Sequence, residues 1–194
     1  MTKRSHQIFL CIPLLFAGLF GSEKEYASFP LENNVLTIDG LLDESFWSSA
    51  EFRSDFIQRE PLENEIPSEK TEFSVCYDTD YLYVGIRAYS KNPNTIKGRL
   101  TRRDEWSPSD WLYIFIDSYN DNRTAFEFGL NPVGVKRDIR WSDDERADRN
   151  WDAVWEGGAS LFEGGGLQNL KYHFVSCGIE YYFKKSIHFH IEYH

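Results

Sequence analysis

Six consecutive residues, Trp111-Leu112-Tyr113-Ile114-Phe115-Ile116, are all aromatic or branched aliphatic, and no other stretch limits the fold as sharply. Such side chains suit a pleated surface, and an unbroken run of them predicts a strand buried on both faces. A charged loop, Arg102-Arg103-Asp104-Glu105-Trp106, leads into it through Ser107-Pro108-Ser109. A rigid strand entered from a loop rich in Arg, Asp and Trp is a common way to hold a binding site over a scaffold.

Other short runs share that character. Thr71 to Tyr77 alternates, with Thr71, Phe73, Val75 and Tyr77 on one face. Asp78-Thr79-Asp80 reads as a hairpin turn, and Tyr81 to Tyr89 as the return strand, with Leu82, Val84, Ile86 and Ala88 opposite Tyr81 and Tyr83. Strands are also predicted over 35–40, 52–58, 124–130 and 135–141, and another begins at Trp151-Asp152-Ala153-Val154-Trp155-Glu156. Asp43 is placed to cap one helical turn that buries Phe46 and Trp47. Val135, Ile139 and Trp141 share a face with Arg137. Short strands, regular turns and almost no helical periodicity predict an all-β, antiparallel β-sandwich.

The N-terminus points to export. Thr2-Lys3-Arg4 precedes an apolar run from Ile8 to Phe20, and small residues follow at Gly21 and Ser22. This is the pattern of a secretory signal peptide over residues 1–22, with an uncleaved anchor as the alternative. A secreted, periplasmic or outer-envelope location follows. Three cysteines, Cys11, Cys76 and Cys177, make no disulfide framework, and Cys76 reads as a small buried hydrophobe. A net charge of −10 without a clustered basic face argues against nucleic acid as a partner.

The body of the chain has no histidine between Ser22 and Lys171, which removes imidazole-based acid–base work and Ser-His triads from it. It has no glycine-rich phosphate loop and no Cys-x-x-Cys pair. A glycosidase-type carboxylate pair stays open, since the separation that matters is spatial; Asp104 and Glu105, being adjacent, would face opposite ways on a strand. Calcium is the one cofactor to weigh. Asp117, Asn120 and Asp121, or Asp143, Asp144 and Asp148, could supply oxygen ligands, but neither set has the EF-hand spacing, and a turn and a solvated loop are the better readings.

Aromatic and polar residues gather together. Trp106, Trp111, Trp141, Trp151 and Trp155 fall near strand ends, alongside Arg103, Arg137, Arg140, Asp104, Asp138 and Asp152. Sugars stack C–H patches on indoles and pair hydroxyls with carboxylates and guanidinium groups, so saccharide binding needs this mixture. Trp47 and Trp111 read as core, Trp106 as exposed, and Trp155 could be either.

Ile38-Asp39-Gly40-Leu41-Leu42-Asp43-Glu44-Ser45-Phe46-Trp47 resembles the opening of family 9 carbohydrate-binding modules. It is especially similar to the branch found at the N-terminus of bacterial envelope proteins with a C-terminal domain of unknown function. Tyr77 to Gly85, Arg102-Arg103-Asp104, Asp110-Trp111 through Ile116-Asp117, Asn131 to Val135 and Trp151 to Glu156 extend the resemblance in order over about 35–158. It implies a non-catalytic sandwich over 30–164 that binds a poly- or oligosaccharide, often between two tryptophans. Carried over, Trp106 with Trp155 or Trp141 would form that pair, with Arg103 and Asp104 as polar partners; Arg137 joins them as a candidate ligand-binding residue from its place among the aromatic and charged residues. The alternatives are a glycoside-hydrolase-associated fragment acting in polysaccharide breakdown, and a structural envelope module that has lost sugar binding and packs on a C-terminal domain.

After Glu156 the chain departs from the family, which continues with a Gly-Trp-hydrophobic-Ala-Glu-Phe-basic-Ile strand. Here Gly164-Gly165-Gly166-Leu167 stands instead, and four of the five histidines crowd into positions 173–194. Back-translating Gly165 onward with permitted codons, and reading from the third base, yields Trp-Val-Ala-Glu-Phe-Lys-Ile-Ser-Leu-Arg-Val-Leu-Arg-Tyr. The resemblance therefore implies a frameshift near Gly165, with 165–194 an out-of-frame tail, closing strands missing or aberrant, and a C-terminal domain lost from the chain. Sequencing the gene across the Gly165 codon is expected to show the second frame open and carrying this motif; an early stop there defeats the reading.

Overall fold

A computed structural model describes residues 26–31, 36–58, 60–119, 121, 123–143, 146–164, 167–177 and 187–192. Ten strands and one short helix follow in order: β1 (Phe29–Pro30), α1 (Ser45–Ser49), β2 (Thr71–Tyr77), β3 (Tyr81–Ser90), β4 (Trp111–Ile116), β5 (Thr124–Leu130), β6 (Lys136–Ser142), β7 (Arg146–Asp148), β8 (Trp155–Gly164), β9 (Leu167–Cys177) and β10 (Ile187–Glu192). They form two five-stranded sheets, ordered β1-β2-β3-β9-β8 and β10-β4-β5-β6-β7. Every pairing is antiparallel except β1 with β2. The all-β sandwich expected from the sequence is the fold observed.

The core lies between the sheets and follows the alternation of the strands. Phe73 and Val75 of β2, Leu82, Val84 and Ile86 of β3, Leu112, Ile114 and Ile116 of β4, and Phe128 and Leu130 of β5 all point into it. Burying each such side chain contributes about 1.5–3 kcal/mol, which makes this interface the main source of stability. The hairpin between β2 and β3 turns where expected, the Asp78 carboxylate accepting the backbone N–H groups of Asp80 and Tyr81.

The second face of the first sheet is covered by the N-terminal segment. Leu31, Leu36, Leu42 and Trp47 pack on Cys76 and Tyr83. Trp47 lies flat against β3, where a Cβ at Gly85 would come within 2.8 Å of its ring. The turn at Asp39-Gly40 presses on β8: Gly40 adopts φ +85°, and a Cβ at Gly158 would stand 2.5 Å from the Gly40 nitrogen. Cys76 is a free buried thiol within this layer, and burial pushes its pKa up to about 12.

Some local expectations need correction. Residues 36–38 and 52–58 are not strands; the second segment makes a single bridge, Arg53 to Phe73. Residues 36–38 lie in the layer that covers the first sheet, whereas 52–58 runs beside β2 at the Arg53–Phe73 bridge, so both bury apolar residues without a strand's ladder. Glu44, not Asp43, occupies the helix N-cap, and its side chain makes no capping bond. Residues 146–148, expected as loop, add the edge strand β7. The expected loss of the closing strands meets a filled position, since backbone after Gly164 pairs as β9 with β3 and as β10 with β4. That pairing concerns the backbone and leaves the coding origin of residues 165–194 to the gene. The signal-like run over residues 1–22 lies outside the described residues.

The Gly40–Gly158 contact yields a test. Gly158→Ala forces backbone against backbone, so a loss of about 1–3 kcal/mol is expected in urea unfolding. Gly134→Ala, at φ +80° but in open space, should cost about 1 kcal/mol from backbone strain alone.

Candidate functional site

The loop before β4 is fastened at both ends. Asp104 takes the left-handed conformation, φ +64°, which Asp tolerates better than most residues. Its N–H donates to the Lys136 carbonyl at 3.0 Å, and its carboxylate accepts the Asp138 N–H at 3.0 Å. Downstream, Ser107 is buried, shares a 2.9 Å hydrogen bond with Ser109, and accepts the Trp111 indole N–H at 3.2 Å. Between these anchors stands Trp106, 61% exposed. It is the one exposed tryptophan of the six.

Arg103 and Asp138 form the centre of the upstream anchor. Asp138 is 1% exposed and turns inward from β6. Its Oδ1 accepts Arg103 Nη2 at 2.5 Å, Arg103 Nε at 3.2 Å and Trp155 Nε1 at 3.2 Å, while Oδ2 accepts the Ala153 N–H at 2.7 Å. The Arg103 guanidinium also donates to the Ala153 carbonyl at 2.9 Å and pairs with exposed Asp152 at 2.6 Å. Asp104 Oδ2 lies 3.6 Å from Arg103 Nε, and burial holds the Asp104 carboxyl above its ordinary pKa. Three chain segments thus meet at one ion pair: the loop, β6 and the approach to β8.

A second cluster lies on the outer face of the β10-β4-β5-β6-β7 sheet. Registers pair Tyr113 with Gly129, Phe115 with Glu127, Glu127 with Ile139 and Ala125 with Trp141. The absent side chain at Gly129 is needed there, since a Cβ would come within 2.7 Å of the Tyr113 ring. Glu127 is buried, accepts the Trp141 indole N–H at 2.7 Å, and has Arg137 Nε at 3.8 Å from its other oxygen. Trp141 remains half-buried. Indole, guanidinium, carboxylate and tyrosine ring therefore line one strip of a sheet face.

The six predicted site residues separate into three situations. Arg103, Asp104 and Trp106 come together in the loop and its anchor. Arg137 and Trp141 come together with Glu127, which sequence reasoning missed; its place between Phe126 and Phe128 marked only an alternating strand. Trp155 is a correction: at 3% exposure it packs on Phe128, with the Lys136 ammonium 5.1 Å from its ring centre, and offers no face to a ligand. Its indole N–H serves Asp138 instead. Trp106 and Trp141 are held from different parts of β6: Asp104, two residues before Trp106, bonds to Lys136 and Asp138, and Trp141 lies toward the other end of the strand.

Among the described residues no three or more His, Cys, Asp or Glu side chains are grouped to hold a metal. Asp117 and Asp121 accept turn amides at Tyr119, Asp121, Arg123 and Thr124; Asn120 and Asp144 lie outside the described residues.

No protein-family model matches the chain, and no curated protein does. One solved structure shares its fold, and two others align with it. A candidate carbohydrate-binding protein from Bacteroides uniformis superposes with a TM-score of 0.51 at 12% identity, over 67% of this chain and 61% of that one. A family 9 carbohydrate-binding module from Caldicellulosiruptor kristjanssonii in complex with cellotriose aligns over 84% of this chain and 74% of that one, at 15% identity and a TM-score of 0.48. A family 9 module from the same organism in complex with glucose gives 14% identity, 84% and 75% coverage, and a TM-score of 0.48. These are likenesses of fold.

The division between exposed and buried tryptophans predicts opposite mutational costs. Trp155→Ala should lose about 3–5 kcal/mol in urea unfolding, having emptied core and removed one of the donors to a buried carboxylate. Trp106→Ala should change stability by about 0.5 kcal/mol or less.

Proposed function

We propose that this chain is a non-catalytic carbohydrate-binding module that takes a poly- or oligosaccharide along the outer face of the second sheet, with Trp106 as its stacking surface. The observation that carries the reading is the placement of Trp106: an exposed indole whose backbone is tied down on both sides. An exposed apolar ring on a flexible loop would need no explanation. One held by an ion pair on one side and buried serines on the other is preorganised for contact with something, because fixing it in advance lowers the entropy cost of binding.

A second feature suits sugar. Arg137 and Trp141, both only partly buried and both held by the buried Glu127, offer a donor and a ring face on a strip that spans roughly 13 Å of β6. A strip that long suits a linear chain of several sugar units better than a single one. The fold shared with carbohydrate-binding structures is consistent with this use. The proposal extends to export through the signal-like segment of residues 1–22, and to a partner C-terminal domain of the kind the sequence resemblance implies. Association with a glycoside hydrolase is the alternative setting for the same binding role.

Titration calorimetry with cello- and xylo-oligosaccharides tests the reading. Binding that lengthens in affinity from disaccharide to tetrasaccharide, and that falls about tenfold or more in both Trp106→Ala and Trp141→Ala, is expected. Equal binding by either variant and the parent chain would remove that tryptophan from the site. Loss of sugar polymer upon incubation with the protein would replace the binding role with a hydrolytic one.

A further inference from the structure

We infer that Asp138, which no ligand can reach, is a positioning residue that holds the Trp106 loop in its binding conformation by way of Arg103. The sugar arm of this inference rests on the carbohydrate-binding reading above; the mechanical arm does not.

The geometry gives Asp138 reach in two directions. Through its side chain it accepts four hydrogen bonds, two from Arg103, one from the Trp155 indole and one from the Ala153 N–H. Through its backbone N–H it donates to the Asp104 carboxylate. Arg103 and Asp104 are consecutive, so a single β6 residue grips both, and the Lys136 carbonyl takes the Asp104 N–H beside it. Trp106 follows two residues later with its ring in solvent. Within the loop itself the fastening is slight: Glu105 N–H donates to the Arg102 carbonyl at 3.2 Å, and the Thr101 hydroxyl donates to the Glu105 carbonyl at 3.4 Å. The upstream half of the loop is therefore held from β6 by the Arg103–Asp138 pair together with the two Asp104 bonds, and the charge-assisted, bidentate contact fixes direction as well as distance.

Among the described residues, Asp104, Asp152 and Lys136 are the other charged groups at the pair. Asp104 and Asp152 flank the guanidinium at 3.6 and 2.6 Å, and the Lys136 ammonium is engaged with the Trp155 carbonyl at 2.8 Å. Asp152 is largely in water and is the weaker partner by screening. The buried Asp138 is thus the partner whose loss leaves Arg103 free to swing outward.

Two measurements on the full chain decide the matter. In Asp138→Asn, hydrogen exchange of the Asp104 and Glu105 amides is expected to quicken at least tenfold, while the β2–β3 amides keep their rates. Cellotriose affinity is expected to fall about tenfold in the same variant. In a Trp106→Ala background the same substitution should cost less than twofold, because the indole it positions is gone. A general loss of structure would quicken exchange everywhere and would add its cost in both backgrounds. Arg103→Gln, at the exposed end of the pair, gives the same two readouts should Asp138→Asn fail to fold. Unchanged exchange at Asp104 and Glu105 overturns the inference whether or not sugar binds. Quickened exchange in a protein whose parent form ignores cellotriose upholds the positioning role and sinks only its link to that sugar.

Discussion

A carboxylate with 1% of its surface in water survives in a folded protein only when its charge is matched and its lone pairs are filled. Asp138 meets that demand with donors from two places far apart in sequence: Arg103 on one side, and Ala153 with Trp155 on the other. The requirement works in both directions. Because the acid cannot be buried unsatisfied, the loop before β4 and the approach to β8 must both close on β6. Because they close there, Trp155 is drawn into the core and Trp106 is left outside it. A polar contact thereby sorts two tryptophans that composition alone treats alike.

The glycines solve a different problem, that of layers lying close together. Gly85 lets Trp47 rest on β3, Gly158 lets the Asp39-Gly40 turn rest on β8, and Gly129 lets the Tyr113 ring lie across β5. Two of these contacts cover the first sheet with the N-terminal segment. The third stays within the second sheet's outer face and lays an aromatic ring along it. The two sheets share one core yet have unlike outer faces, one sealed by the chain and one lined by Glu127, Arg137 and Trp141.

How much could be read in advance follows from which forces are local. Strands β2 to β6 are legible because alternation and the turns at Asp78 and Asn131 are properties of neighbouring residues. Residues 36–38 and 52–58 carry the same apolar signal, but the first covers a sheet and the second makes one bridge beside it, and hydrophobicity reports burial without reporting the ladder. Arg103, Asp104 and Trp106 are correctly grouped because they are consecutive. The fate of Trp155 depends on Asp138, seventeen positions away, and Glu127 acquires interest only through a cross-strand indole; neither relation leaves a trace in spacing. A tryptophan beside a charged residue looks the same whether that charge marks solvent or a buried acid.

The frame change implied near Gly165 bears differently on scaffold and site. In the first sheet β9 stands between β3 and β8, so the pairing of β8 on that side depends on backbone encoded after the break. In the second sheet only the edge strand β10 does, and β4 to β7 pair without it. Arg103, Asp104, Trp106, Glu127, Arg137, Asp138, Trp141, Asp152 and Trp155 all precede residue 165. An out-of-frame tail would therefore weaken the sheet that supports the core while leaving every one of these groups encoded. The link between the two is Trp155, the first residue of β8, whose indole answers Asp138 from the sheet at risk. Damage to the tail would reach the site through that one residue, by loosening the acid that holds the Trp106 loop.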